Sequence, residues 1–330
     1  MSRYHYKIVA ALGLMTLGLF GCEMEQEVPI PDHEPRLTLR LALTNTTPDS
    51  THYINEPYNQ LFIGRSQSVL DADEELAGVT NATVTLYNES GQAVESYNHI
   101  GKRPNYYYGT QGLPGYYDVV NGFIPDPDKT YTLRVSAPGF KPIEATVRMP
   151  AATRITEASL SELTAAPYSS MHLEGALRVS FEDRLNEENF YKVVAYPLDS
   201  AGNMLTFSRV YPQRDQNGPE FGVEKELWLE NLFTDEFYQS GQITLLNRVT
   251  IPTFDVISTQ GGVRRRNAHF VEVQVQQFTR DEYLFYKTLS EQWSNDGNPF
   301  AEYTQVHSNV RNGYGVLGGV TISRQVIPIR

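Results

Sequence analysis

The chain has one cysteine, Cys22, in 330 residues. No disulfide can form within it, so stability must come from packing and hydrogen bonding. Tryptophan is scarce, with 2 residues against 21 Tyr and 15 Phe. Cations are in deficit: 27 Lys and Arg face 39 Asp and Glu, for a formal net charge of −12. That sign excludes nucleic acid as an expected partner, because such binding depends on neutralising phosphates. The apolar run Ile8–Phe20 is thirteen residues long, well short of the ~20 a helix needs to span a bilayer. Catalytic signatures are missing too. The histidines His33, His52, His99, His172, His269 and His307 form no His-Glu-x-x-His and no pair at metal-ligand spacing. There is no Gly-x-Ser-x-Gly elbow and no Gly-x-Gly-x-x-Gly opening a helix. Asp71, Asp73, Glu74 and Glu75 lack the glycine and further spaced oxygens of a calcium loop and read as a solvated acidic stretch. The expectation is therefore a non-enzyme, with no catalytic residue, metal or cofactor.

What is present begins at the N-terminus. Arg3 and Lys7 precede the uncharged Ile8–Phe20 run, and Gly21-Cys22 follows it. A basic front, a short apolar core and a small residue are the parts of a signal peptide. The Gly21-Cys22 junction resembles a bacterial lipobox. The resemblance implies cleavage before Cys22 and acylation of that cysteine, by palmitate and related chains, as a membrane anchor. Two or more acyl chains hold firmly where one binds only marginally. Glu23, Glu25 and Glu27 then form an acidic cluster that resembles the surface-export signal of Bacteroidetes lipoproteins; the alternative is a solvated charge run. Pro29, Pro31 and Pro35 make the next stretch a stiff spacer. The resulting expectation is a protein lipid-anchored in the outer membrane and facing the cell exterior.

From Leu37 the period becomes two. Leu37, Leu39, Leu41 and Leu43 alternate with Thr38, Arg40 and Ala42, predicting a strand with one buried face. Gln60–Ile63, Ala82–Tyr87, Tyr131–Val135 and Ile143–Met149 read as further strands, separated by turn residues such as Asn121-Gly122 and Ala137-Pro138-Gly139-Phe140. Tyr106, Tyr107, Tyr108, Tyr116 and Tyr117, with Gly109, Gly112 and Gly115 between them, are either an exposed recognition loop or the filling of a sheet edge. Residues 81–87 with Gly91, and then 130–140, resemble transthyretin-like and carboxypeptidase-regulatory-like domains, which are immunoglobulin-like sandwiches.

Past residue 150, strands are expected from Ile155 and at Leu177–Phe181, Tyr191–Ala195, Leu205–Val210, Ile243–Leu246, Val249–Phe254 and Val271–Val275. Arg264-Arg265-Arg266 reads as a loop tip between strands. Thr279-Arg280-Asp281-Glu282 has capping-box spacing, and Tyr283, Tyr286, Leu289 and Trp293 fall at helical spacing, so one helix of three to four turns is expected. The glycines between Gly313 and Gly319 predict a turn before a last strand, Val320–Ile327. The predicted fold is mainly β, with two sandwich-type domains and one helix: a signal peptide (1–21), a tether (22–36), an immunoglobulin-like sandwich (37–150) and a C-terminal β-domain (151–330).

Phe181-Glu182-Asp183, Asn189-Phe190-Tyr191, Phe270–Val273, Tyr283–Lys287, Asn298–Glu302 and Ser308–Gly315 together resemble the family of Bacteroidetes lipoproteins known as domain of unknown function 4249. The resemblance carries over no site residues. It implies a loose association with TonB-dependent outer-membrane β-barrel transporters. The expected function is a non-catalytic binding accessory of such a transporter; the alternative is a structural or adhesive surface protein.

Overall fold

The alternating apolar positions become strands throughout the computed structural model, which describes residues 33–46, 60–68, 78–100, 103–105, 109–205, 209–213, 232–236, 238, 240–259, 262–295 and 304–330. The first half holds β1 (Leu37–Thr44), β2 (Leu61–Arg65), β3 (Thr83–Asn88), β4 (Ala93–His99), β5 (Arg103–Asn105), β6 (Gly109–Leu113), β7 (Tyr116–Val119), β8 (Thr130–Ser136) and β9 (Ile143–Arg148). The second half adds β10 (Ile155–Ala165), β11 (His172–Glu182), β12 (Phe190–Leu198), β13 (Tyr211–Pro212), β14 (Leu232–Thr234), β15 (Gln242–Pro252), β16 (Phe254–Thr259), β17 (Gly262–Asn267) and β18 (Phe270–Phe278). Helix α1 (Arg280–Asn295) and β19 (Tyr314–Pro328) close the chain. The fold is mainly β and sandwich-like, with its one described helix near the C-terminus.

Eleven strands form one sheet in the order β14-β12-β18-β19-β1-β2-β7-β4-β3-β8-β9, and a second sheet runs β10-β11-β15-β13. β1 lies parallel to β19 and antiparallel to β2, so it sits in the interior of the large sheet. This corrects the one-faced reading of β1. Leu37, Leu39, Leu41 and Leu43 enter one core, but Ala42 and Thr44 on the opposite face are also buried. A strand with neighbours on both sides and layers on both faces loses the simple alternation seen in its sequence.

Two cores form. One draws on β1–β4 and β7–β9 with Val310 and Leu317, and includes Leu39, Leu86, Leu133 and Ala145. All these strands belong to one sheet, so the sheet must curl to bring them together. β9 closes the curl against the segment before β19: Arg311 N–H donates to the Glu144 carbonyl at 2.9 Å, and Glu144 N–H returns to Arg311 at 3.4 Å. The other core packs Leu177, Val179, Phe181, Ile243 and Leu245 of the four-stranded sheet onto Val193, Ala195, Val271, Val273 and Val275 of the large one, a two-layer arrangement. The first core is built mainly from residues before 150 and the second from residues after it. The large sheet contributes to both, and Pro35–Arg330 makes one compact unit.

Several local expectations are corrected. Arg264, Arg265 and Arg266 lie within β17, paired to β16, rather than at a loop tip. Ile243–Leu246 and Val249–Pro252 are one strand, β15. Leu205 and Val210 lie outside named strands, their N–H groups donating to Pro197 and Ala195. β19 starts at Tyr314, six residues before the expected Val320. In the glycine-bearing segment there, Asn312 and Gly315 adopt positive φ, at 63° and 106°.

The capping box at α1 is only half made. Thr279 Oγ1 accepts the Glu282 N–H at 3.4 Å, but the Glu282 carboxylate does not turn back to the helix start. It is fully buried and receives Arg40 of β1 at 2.5 and 3.2 Å. A Cβ on Gly318 would lie 2.0 Å from Glu282 Oε2, so that glycine makes room for the carboxylate. The helical stripe is core-packed at its start, where Tyr283 stacks on Phe190 at 4.4 Å, and is solvent-facing at Trp293, 71% exposed.

A second carboxylate is buried with no cation paired to it among the described residues. Glu95 on β4 accepts the N–H groups of Ser96, Val120 and Asn121 on Oε1 and that of Phe123 on Oε2, at 2.8–3.1 Å. Burial alone would raise its pKa, but these four donors more than offset it and leave it lowered. A lowered folded-state pKa gives stability that is present above the unfolded value of about 4.3 and lost as pH falls through the folded value. Glu95→Gln should cost about 2 kcal/mol at pH 7, in the range for hydrogen bonds to a charged group. In urea melts its deficit against wild type should shrink steadily below about pH 4.3. A deficit that stays constant down to pH 2.5 contradicts this role.

Candidate binding cleft

A cleft of about 360 Å³ opens where the two halves meet, at the low end of ligand-site volumes of roughly 300–1,000 Å³. One wall is the continuous run 146–151 at the end of β9. The facing walls are the β11–β12 turn at 187–190 and the β18–α1 junction at 277–281. Each wall exists for a local reason. β9 ends as Pro150 is reached. The β11–β12 turn carries Asn186 with φ of 69°, a left-handed position that Asn tolerates. The junction is fixed by Thr279, whose Oγ1 accepts Gly319 N–H at 3.1 Å while its N–H donates to the Gly319 carbonyl at 2.9 Å.

The lining is charged in both signs. Arg184 donates to Asp128 at 3.0 and 3.4 Å, and this hydrogen-bonded partner raises the guanidinium pKa. Arg148 stands 3.8 Å from the same Asp128, and Arg280 pairs with Glu188 at 3.2 Å. Asp281 is held from behind by His307 at 2.7 Å and Asn309 at 3.0 Å. The Arg184, Arg148 and Arg280 pairs are solvent-exposed, so each contributes under about 1 kcal/mol to stability. The guanidinium and carboxylate groups can therefore exchange partners for a ligand at low cost.

Beneath the cleft lies a buried polar network. Asn189 Nδ2 is approached by four oxygens: Arg184 O at 2.9 Å, Asp235 Oδ2 at 2.9 Å, Glu187 O at 3.2 Å and Asp183 Oδ1 at 3.4 Å. Its Oδ1 accepts Gln277 Nε2 at 2.7 Å, and Gln277 Oε1 accepts Thr153 Oγ1 at 2.8 Å. The Tyr191 hydroxyl donates to Asp183 at 2.9 Å. Burial, with Asp235 and Glu187 nearby, raises the Asp183 pKa even though the Tyr191 bond opposes the shift. The network fixes the turn that forms the cleft's second wall.

The residues singled out in the sequence fall elsewhere. Cys22, Glu23, Glu25, Glu27, Tyr106, Tyr107 and Tyr108 lie outside the described residues, as do Asp71–Glu75. Tyr117 is 1% exposed. Its hydroxyl accepts Ala82 N–H and donates to Val79 O, both at 2.9 Å. It is a core residue and offers no recognition surface. Tyr116 is half-buried against Phe62. Among the described residues no three acidic, His or Cys side chains group as metal ligands. The cleft itself was not visible in the sequence, because its walls come from segments about 40 and 130 residues apart. Of its lining, Asn189 and Phe190 stood within one motif already noted, and Thr279, Arg280 and Asp281 within the capping box.

The model of the family described as a domain of unknown function, DUF4249, matches residues 53–325. No curated protein matches the chain.

Asn189→Asp places an acceptor where four oxygens converge, so it should destabilise the fold by about 3 kcal/mol, as an uncompensated buried charge does. Urea denaturation at pH 7 checks this. Stability within about 0.5 kcal/mol of wild type, the size of an ordinary surface substitution, contradicts the donor role assigned to Asn189.

Proposed function

The chain belongs to the DUF4249 family, and on that premise we propose that it is a lipid-anchored outer-membrane protein that works by binding, as an accessory of a TonB-dependent transporter. The observation that carries this reading is the placement of the only cysteine directly after Ile8–Phe20 and Gly21. The acidic Glu23, Glu25 and Glu27 support display on the outer face. The proline-bearing spacer up to Arg36, at about 3.3 Å per residue, lets the folded part stand some 45 Å from the bilayer. The binding half of the reading is supported by the cleft: its three guanidinium and four carboxylate groups suit a polar, zwitterionic or peptidic ligand rather than a lipid.

Two measurements test this. Cys22→Ser should abolish labelling by radioactive palmitate and move the protein from the membrane to the soluble fraction; retention in the membrane contradicts the anchor. Mild crosslinking of outer membranes followed by pulldown should recover a β-barrel receptor in stoichiometric amount. Recovery of the anchored protein alone contradicts the transporter role and favours a structural or adhesive one.

A further inference from the structure

We propose that the cleft edge of β9 takes up an extended polypeptide segment of a partner chain, which joins the eleven-stranded sheet as a twelfth strand. Successive side chains of a strand point to opposite faces, yet the cleft is lined by all of the last three β9 residues, Thr146, Val147 and Arg148, before it continues along 149–151. Only a cleft running along the strand's edge meets all of them. β9 is the terminal strand of the sheet.

The direction of its backbone groups follows from two observations. Glu144 exchanges both its backbone hydrogen bonds with Arg311, on the side away from β8. Met149 N–H donates to Lys129 O, on the β8 side, at 2.8 Å. The β8–β9 register is unbroken from Ile143 to Arg148, so by alternation Ala145 and Val147 face β8 while Thr146 and Arg148 face outward. Their outward N–H and C=O groups have no backbone partner among the described residues.

Arg311 occupies the edge at Glu144 and stops there, so the open ladder begins where the cleft begins. A row of alternating donors and acceptors spaced by a strand repeat is complementary to another main chain. Natural sheets usually block such an edge or cover it. Among the described residues nothing covers it inside the walled cleft, and Arg184, Arg280, Glu187 and Glu188 are placed to meet charged side chains of either sign on the incoming segment. Thr146 and Arg148 supply the main-chain affinity, and the facing wall supplies the selectivity. The inference does not depend on the partner being a transporter.

The test uses the full-length protein and heptapeptides selected on it from a random phage-displayed library, then resynthesised with a fluorophore and titrated by anisotropy. A selected peptide should saturate the wild type, and the amide exchange of Thr146 and Arg148 should slow on binding. Thr146→Pro should weaken binding at least tenfold while leaving the melt intact, since proline is tolerated where a strand N–H faces outward. The same peptide N-methylated on alternate amides should lose binding to the wild type, and this comparison decides the matter if Thr146→Pro fails to fold. The proposal is overturned if no peptide is selected, if Thr146→Pro binds with unchanged affinity, or if N-methylation has no effect. It is also overturned if the edge proves to be filled by a second copy, seen as a concentration-dependent dimer that Thr146→Pro abolishes.

Discussion

The pair between Arg40 and Glu282 joins the beginning of the folded chain to its end. Glu282 sits on the first turn of α1 with its carboxylate fully removed from solvent, and Arg40 reaches it from β1 across 242 residues of sequence. An isolated carboxylate at that depth would cost several kcal/mol. Burial pushes Glu282 up and Arg40 opposes it; for Arg40, Glu282 outweighs a burial effect of the opposite sign. Neither group is tolerable without the other. The requirement propagates outward: Tyr286 accepts a third bond from Arg40 at 3.1 Å, and position 318 must be glycine to leave the carboxylate its space. With α1 held over β1 and β19, Phe190, Phe278 and Val320 are covered, and the β18–α1 junction stands where it can wall the cleft.

Seen this way, the residues that carry the family resemblance are mostly architectural. Asp183, Asn189 and Tyr191 meet in the network under the β11–β12 turn. Asn309 ties Asp281 to the backbone of Leu317: its Nδ2 donates to the Asp281 carboxylate and to the Leu317 carbonyl, and its Oδ1 accepts the Leu317 N–H. Arg311 closes the curl of the sheet on β9. These positions shape the cleft, whose charged lining is Asp128, Arg148, Arg184, Glu187, Glu188, Arg280 and Asp281.

Much of the fold was legible because a strand writes its period directly into the sequence. The leucines of β1, the valines of β18 and the Thr279 start of α1 were all readable. What failed was whatever depends on a distant partner. The capping-box spacing of Glu282 suggested a local bond, but tertiary pairing with Arg40 won. On β18 the alternation of valines marks the strand, but Gln274 and Gln276 between them are buried too and bond along their own strand, Gln276 Nε2 to Gln274 Oε1 and Gln274 Nε2 to Glu272 Oε1. Tyr117 read equally as part of a recognition loop or as the filling of a sheet edge, because a tyrosine's composition signal is the same whether its ring is inside or outside. The cleft left no local trace, since an open strand edge is a property of the topology and not of any residue.

The central claim is that Arg40 and Glu282 act as one matched unit holding α1 to β1. A double-mutant cycle tests it: Arg40→Met, Glu282→Met and the pair together, each followed by urea denaturation at pH 7. Each single change strands its partner and should cost about 3 kcal/mol, as breaking a buried ion pair does. The double variant should be destabilised by at least 2 kcal/mol less than the sum of the singles, within the range of coupling for residues in direct contact. Additivity within about 0.5 kcal/mol, as for independent sites, would contradict it and leave α1 held by its aromatic contacts alone.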